Sequence, residues 1–83
     1  SELSKAKLNF LKLLRGKLKT SDMSPDNIHN SVYEASVEAE LKPSEAFQTI
    51  YELFLNKTYG PKVGFFLACL DRDFVLKRLE LEK

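Results

Sequence analysis

The chain has one cysteine, one histidine and no long apolar run, and each shortage removes a class of function. Cys69 alone cannot close an internal disulfide, so packing must hold the fold, and a lone thiol fits a reducing, cytoplasmic setting. His29 has neither a second His nor a Cys near it in sequence, which leaves zinc ligation and a Cys-His nucleophile pair little to build on. The longest apolar stretch, Val63 to Leu70, is interrupted by Gly64 and falls well short of the roughly 20 residues that span a bilayer. No charged, apolar and small-residue succession of the secretory kind follows Ser1. Ser in place of a starting Met reads as a piece of a larger chain.

A strong overall charge is also missing. The net value is +1, too small to steer a partner from a distance. Its distribution is uneven, because six of the Lys and Arg residues fall within the first 20 positions against Glu2 alone, leaving the remainder acidic. A basic end on a nearly neutral chain points to a local anionic partner. Hydrophobic residues at 43% beside 30% charged describe an ordinary globule rather than a disordered tail. Eighty-three residues form one domain, 1–83, and a chain of this size buries only about 60–65% of its unfolded surface.

What the chain does contain is helical periodicity, five times over. Leu3, Phe10, Leu14 and Leu18 share one face of a helix from about Glu2 to Lys19, and Lys5, Lys12, Arg15 and Lys19 form a basic stripe on another. Ser24-Pro25-Asp26 is a start signal: a hydroxyl to cap free amides, a proline suited to the first position, a carboxylate for the dipole. The helix it opens runs to about Ala39, burying Ile28, Val32, Ala35 and Ala39, with Glu34 and Glu38 facing water. Pro43, Ser44 and Glu45 open a third, whose arc of Ala46, Phe47, Ile50, Tyr51, Leu53, Phe54 and Leu55 is wide enough to predict a central helix. Within that arc Phe47, Tyr51 and Phe54 are expected in the core.

Asn56 to Pro61 reads as a turn in which Gly60 can take positive φ and Pro61 begins the next helix. Val63, Phe66, Leu67 and Leu70 are the buried stripe of a fourth helix; Phe65 lies opposite and is expected to be partly exposed, either to stack on a ligand or to cover a small cluster. Asp71 caps a fifth helix, with Asp73 in its first turn and Phe74, Val75 and Leu79 turned inward. Cys69, between apolar neighbours, is expected as a small buried hydrophobe. No strand alternation survives beside these helical spacings, so the expected fold is an all-α bundle of about five helices.

Catalytic groups do not assemble. Tyr59-Gly60-Pro61-Lys62-Val63-Gly64 lacks both the preceding strand and the Lys-Ser/Thr ending of a phosphate-binding loop. Glu34 and Glu38 have nothing apolar around them to raise a pKa, so they read as a solvated face. His29 reads as a helix-flank residue beside Tyr33. No catalytic residue, metal site or bound cofactor is therefore expected of these residues. A helix-turn-helix DNA reader fits poorly, because its second helix would be the widely apolar third one.

The order Phe47-x-x-x-Tyr51, Lys57, Tyr59-Gly60-Pro61-Lys62-x-Gly64-x-Phe66-Leu67, then Asp71-Arg72-Asp73-Phe74-Val75, with Lys42-Pro43 ahead and Ile28, Tyr33 and Leu41 further upstream, resembles the carboxy-terminal, anticodon-binding end of class I lysyl-tRNA synthetases. The likeness covers about the last two thirds of the chain, and the leucine-rich start matches only in kind. Where that family usually has glycine this chain has Asn56, and often again Asp71, so the turns there rest on residues that tolerate a left-handed conformation. The resemblance implies a helical-cage piece that helps select the lysine tRNA. Attachment of lysine with ATP would fall to a catalytic domain, since the His-x-Gly-His and Lys-Met-Ser-Lys-Ser signatures are missing.

RNA loops present unstacked bases that aromatic and arginine planes can stack on, with lysines holding the backbone. Lys57, Lys62, Arg72 and Phe65 are accordingly the first candidates for tRNA contact, and the stripe Lys5, Lys12, Arg15, Lys19 the second. The expected partners are the anticodon region of the lysine tRNA and the catalytic domain of a parent ligase. Two rivals stand beside this reading: a helical protein-interaction module without an RNA role, and the tail of a glutamate-type synthetase.

Overall fold

A computed structural model describes residues 4–80 and contains five α-helices and no strand among them. α1 covers Lys5–Lys19, α2 Pro25–Glu38, α3 Pro43–Leu55, α4 Val63–Ala68 and α5 Arg72–Glu80. The expected all-α bundle is thus what forms; Glu2 and Leu3, expected in the first helix, lie outside the described residues. No described helix is long and apolar enough to cross a membrane.

The starts follow the chemistry of free backbone amides. Ser4 and Ser24 accept hydrogen bonds from the amides of Lys7 at 3.2 Å and Asn27 at 3.3 Å, capping α1 and α2. Glu45 accepts from the Lys42 amide at 3.2 Å at the head of α3, and Asp71 accepts from the Phe74 amide at 3.3 Å at the head of α5. The end of α2 closes without glycine. Glu40 takes φ 61°, and the amides of Leu41 and Glu40 donate to the carbonyls of Ser36 and Val37, a Schellman closure that satisfies the last turn. Asn56 ends α3 at φ 59°, ψ 35°, the left-handed conformation expected of it in place of glycine; Asp71, of which the same was expected, does not adopt it and serves as a side-chain cap instead.

α1 and α2 form the centre. Phe10, Leu11, Leu14 and Leu18 of α1 are wholly buried against Ile28, Val32 and Ala35 of α2, with Leu67, Val75 and Leu79 closing the cluster from α4 and α5. Each of the Phe, Leu, Ile and Val side chains among them contributes about 1.5–3 kcal/mol by leaving water. α2 meets α1, α3 and α4, and α5 lies along α1.

The third helix is not central, contrary to the reading of its wide apolar arc. Only Ala46, Thr49 and Ile50 are buried there, while Phe47, Tyr51, Leu53, Phe54 and Leu55 are half-buried. The arc is broad because it serves three shallow contacts: Phe47 against His29, Tyr51 over the following turn, and Phe54 against Phe66 and Phe74. α4 begins at Val63, after Pro61, and its stripe is half as deep as expected, with Val63 and Leu67 buried but Phe66 and Leu70 only partly covered.

Two inward assignments reverse. Phe74 is 51% exposed, because Val75 and Leu79 are the α5 residues buried in the core, with Leu76 packed against it, and Phe74 sits beside Phe54. Cys69 is exposed: the six-residue α4 ends at Ala68 and turns its cap residue to solvent.

Candidate functional site

The corner where α3 gives way to α4 is fixed by two glycines, neither of them at positive φ. Gly60 was expected to supply that conformation; Asn56 supplies it instead, and Gly60 supplies space. A Cβ on Gly60 would stand 2.9 Å from Leu55 Cδ1 and 3.1 Å from the Tyr51 ring. Tyr51 thus lies over the turn and its hydroxyl donates to the Pro61 carbonyl at 2.6 Å. One turn later Gly64 lets α4 touch α2, since a Cβ there would be 2.5 Å from the Pro25 carbonyl oxygen.

This close approach leaves a cleft of about 400 Å³ between the start of α2, the face of α3 and the start of α4. Asp26 and His29 line one side, Phe47 and Tyr51 the floor, Lys62 and Phe65 the other side. His29 stacks on Phe47, the ring centroids 5.8 Å apart and the planes 23° from parallel. Phe65 is 61% exposed at the rim, as its position opposite the buried stripe predicts. Just outside, Lys57 Nζ is 6.0 Å from the centroid of the Tyr59 ring, the outer limit of a cation–π contact.

Of the first candidates, Lys62 and Phe65 therefore share one cleft, and Lys57 projects from the same turn. Arg72 does not line that cleft. Its guanidinium donates to the Ser21 carbonyl and ties the head of α5 to the α1–α2 loop. The basic stripe of α1 also divides: Lys5, Lys12 and Lys19 are exposed, whereas Arg15 pairs with Glu80 and donates to the Leu76 carbonyl at 3.3 Å, holding α5 on α1. Lys17, outside the stripe, reaches Glu38 at 3.0 Å and Glu34 at 3.7 Å. The hydrogen bond with Glu38 is the main cause that raises the Lys17 pKa above its ordinary value.

Sequence reasoning missed Asp26, His29 and Phe47 as site residues. Asp26 and His29 stand three apart on α2 and so share a face, but nothing in either helix announces that α3 and α4 flank that face. No group of three or more His, Cys, Asp or Glu that could hold a metal is present among the described residues.

Fold and cleft together define a small all-helical module with a cationic, aromatic-lined corner. The sequence places it further. It is 42% identical over 80 residues, 96% of its length, to a lysine–tRNA ligase of Archaeoglobus fulgidus. A lysine–tRNA ligase of Methanocaldococcus jannaschii is 43% identical over 72 residues, 87% of this chain, and that of Methanosphaera stadtmanae 35% over 83 residues, 99% of this chain. The chain is thus related to the lysine–tRNA ligases and matches a carboxy-terminal fragment of them. It spans 14–16% of the length of these relatives. No family model matches the chain, and no solved structure does.

Proposed function

We propose that this chain recognises the anticodon region of the lysine tRNA, acting as the carboxy-terminal module of a class I lysine–tRNA ligase. The observation that carries the reading is where the residues of the family resemblance fall in the fold. The relatives are lysine–tRNA ligases over nearly the whole chain, and the residues that crowd the α3–α4 corner, Tyr51, Gly60, Pro61, Lys62 and Gly64, are among those that carry the resemblance to an anticodon-binding end. Lys57 and Lys62 point a pair of cations at the backbone of an RNA loop, and Phe65 offers a stacking plane beside them. ATP-dependent attachment of lysine belongs, on this reading, to the catalytic domain of the parent chain, with which the module shares a cytoplasmic location. Contact with the anticodon sets register for the distant acceptor end. The names of the relatives favour lysine over glutamate as the amino acid concerned.

Charge reversal at the corner tests the assignment. Lys57→Glu with Lys62→Glu is expected to weaken binding of lysine tRNA by tenfold or more, since each phosphate contact is worth on the order of 1 kcal/mol and reversal adds repulsion. Circular dichroism and melting should stay the same, because both side chains are exposed. Undiminished binding by the double variant would remove the corner from the interface.

A further inference from the structure

A phenyl ring at the mouth of a cleft, 61% in water, contributes little to folding. Phe65 has this position, and the same cleft is lined by two more π surfaces, His29 and Phe47, already stacked on one another. The polar groups of the same cleft are of opposite sign, Asp26 on the α2 side and Lys62 on the α4 side. A bare anion would meet Lys62 but be repelled by Asp26, and a purely apolar side chain would leave both charges desolvated without partners. A nucleotide satisfies the whole set: an aromatic base for the rings, N–H donors on the base edge for the carboxylate, and a phosphate for the ammonium. The volume of about 400 Å³ lies near the lower end of the roughly 300–1,000 Å³ typical of small-ligand sites, which suits one nucleotide rather than a run of them. The walls are held before any ligand arrives, by the Gly64 approach to Pro25 and the Tyr51 bond to Pro61, so little ordering cost falls on binding.

We propose that this cleft captures one unstacked base of the RNA, with Phe65 and the His29–Phe47 pair as its stacking surfaces, Asp26 accepting from the base edge and Lys62 holding the adjoining phosphate. The inference rests on the anticodon reading above and adds to it a specificity-determining slot with named walls, two of which, Asp26 and His29, come from outside the α3–α4 corner.

Abasic scanning separates the two ideas. An anticodon stem-loop of lysine tRNA is prepared with each loop nucleotide in turn replaced by an abasic one, and binding to the 83-residue chain is measured for the natural sequence, Phe65→Ala, His29→Ala and Phe65→Tyr. Removal of one particular base is expected to weaken binding to the natural chain about tenfold or more, the scale of a lost base–aromatic stack. That same removal should cost Phe65→Ala and His29→Ala almost nothing further, while Phe65→Tyr, which keeps a stacking ring, behaves like the natural chain. Both alanine variants remove exposed side chains, and unchanged melting confirms that they fold. Penalties that simply add, with no coupling between any base and either variant, would overturn the slot and leave anticodon recognition standing. A natural chain indifferent to every abasic position would overturn the slot and the anticodon reading together.

Discussion

Gly64 has no room for a side chain, because the nearest atom to a Cβ there is a backbone oxygen at 2.5 Å, which cannot swing away. Gly64→Ala must separate α4 from α2 or distort one of them, and about 1–3 kcal/mol of stability should be lost. Gly16, with open space around it, is the control; its alanine variant should be neutral to stabilising in thermal melts, because alanine favours the helix. The sequence marked Gly64 only through resemblance, since a glycine that serves contact rather than turn geometry leaves no local signature. Asn56 was more legible: asparagine tolerates a left-handed conformation better than most side chains, and φ 59° is what it adopts. Gly60 was misread for the opposite reason, its neighbourhood being full of turn signals although what it supplies is room for the Leu55 and Tyr51 side chains.

Helix α2 could be read almost residue by residue, because an amphipathic stripe behind a serine cap is a local pattern, whereas in α1 the cap at Ser4 and the burial of Leu11 went unread. α3 could not. Its wide arc suggested a central helix, yet the arc reflects three separate shallow contacts made by Phe47, Tyr51 and Phe54 with elements far along the chain. α5, only nine residues long, relies on Arg15 of α1, which engages both Glu80 and the Leu76 carbonyl. Arg15→Ala should therefore cost on the order of 1 kcal/mol, as partly exposed pairs with an added hydrogen bond do. That corresponds to a melting point lower by about 4–8 °C in a domain this small. Lys12→Ala, on the exposed side of the same helix, should leave the melting point in place.

The α1–α2 loop carries a pH response of known sign. Asp22 accepts from the Asn27 side chain at 2.7 Å and from the Ser24 amide at 2.9 Å, and these bonds, that from Asn27 foremost, hold its carboxyl below the ordinary value. A lowered folded-state pKa means that the contribution is present above the unfolded value of about 3.9 and is lost as pH falls through the lower folded value. Amide NMR of Ser24 should report that titration directly, and Asp22→Asn should flatten it.

At the scale of the whole molecule the division of surface is the point. The buried stripes of α1, α2, α4 and α5 supply stability, and the α3–α4 corner keeps Lys57, Lys62 and Phe65 in water. The two lysines and Phe65 were legible as exposed from their place at a turn and opposite a buried stripe. The cleft was not legible, because it exists only where three helices converge, and convergence is set by Gly64 and Tyr51 rather than by any pattern within one helix. Arg72 and Arg15 show the same limit from the other side, each spent on a backbone carbonyl of a distant element.

The most direct test is titration of the chain with lysine tRNA and with the same tRNA carrying an altered anticodon, over a range of salt. The account predicts binding whose logarithm falls linearly as log salt rises, from release of ions off the phosphates, and a loss of affinity when the anticodon alone is changed. Binding that ignores both the anticodon and the salt would contradict it.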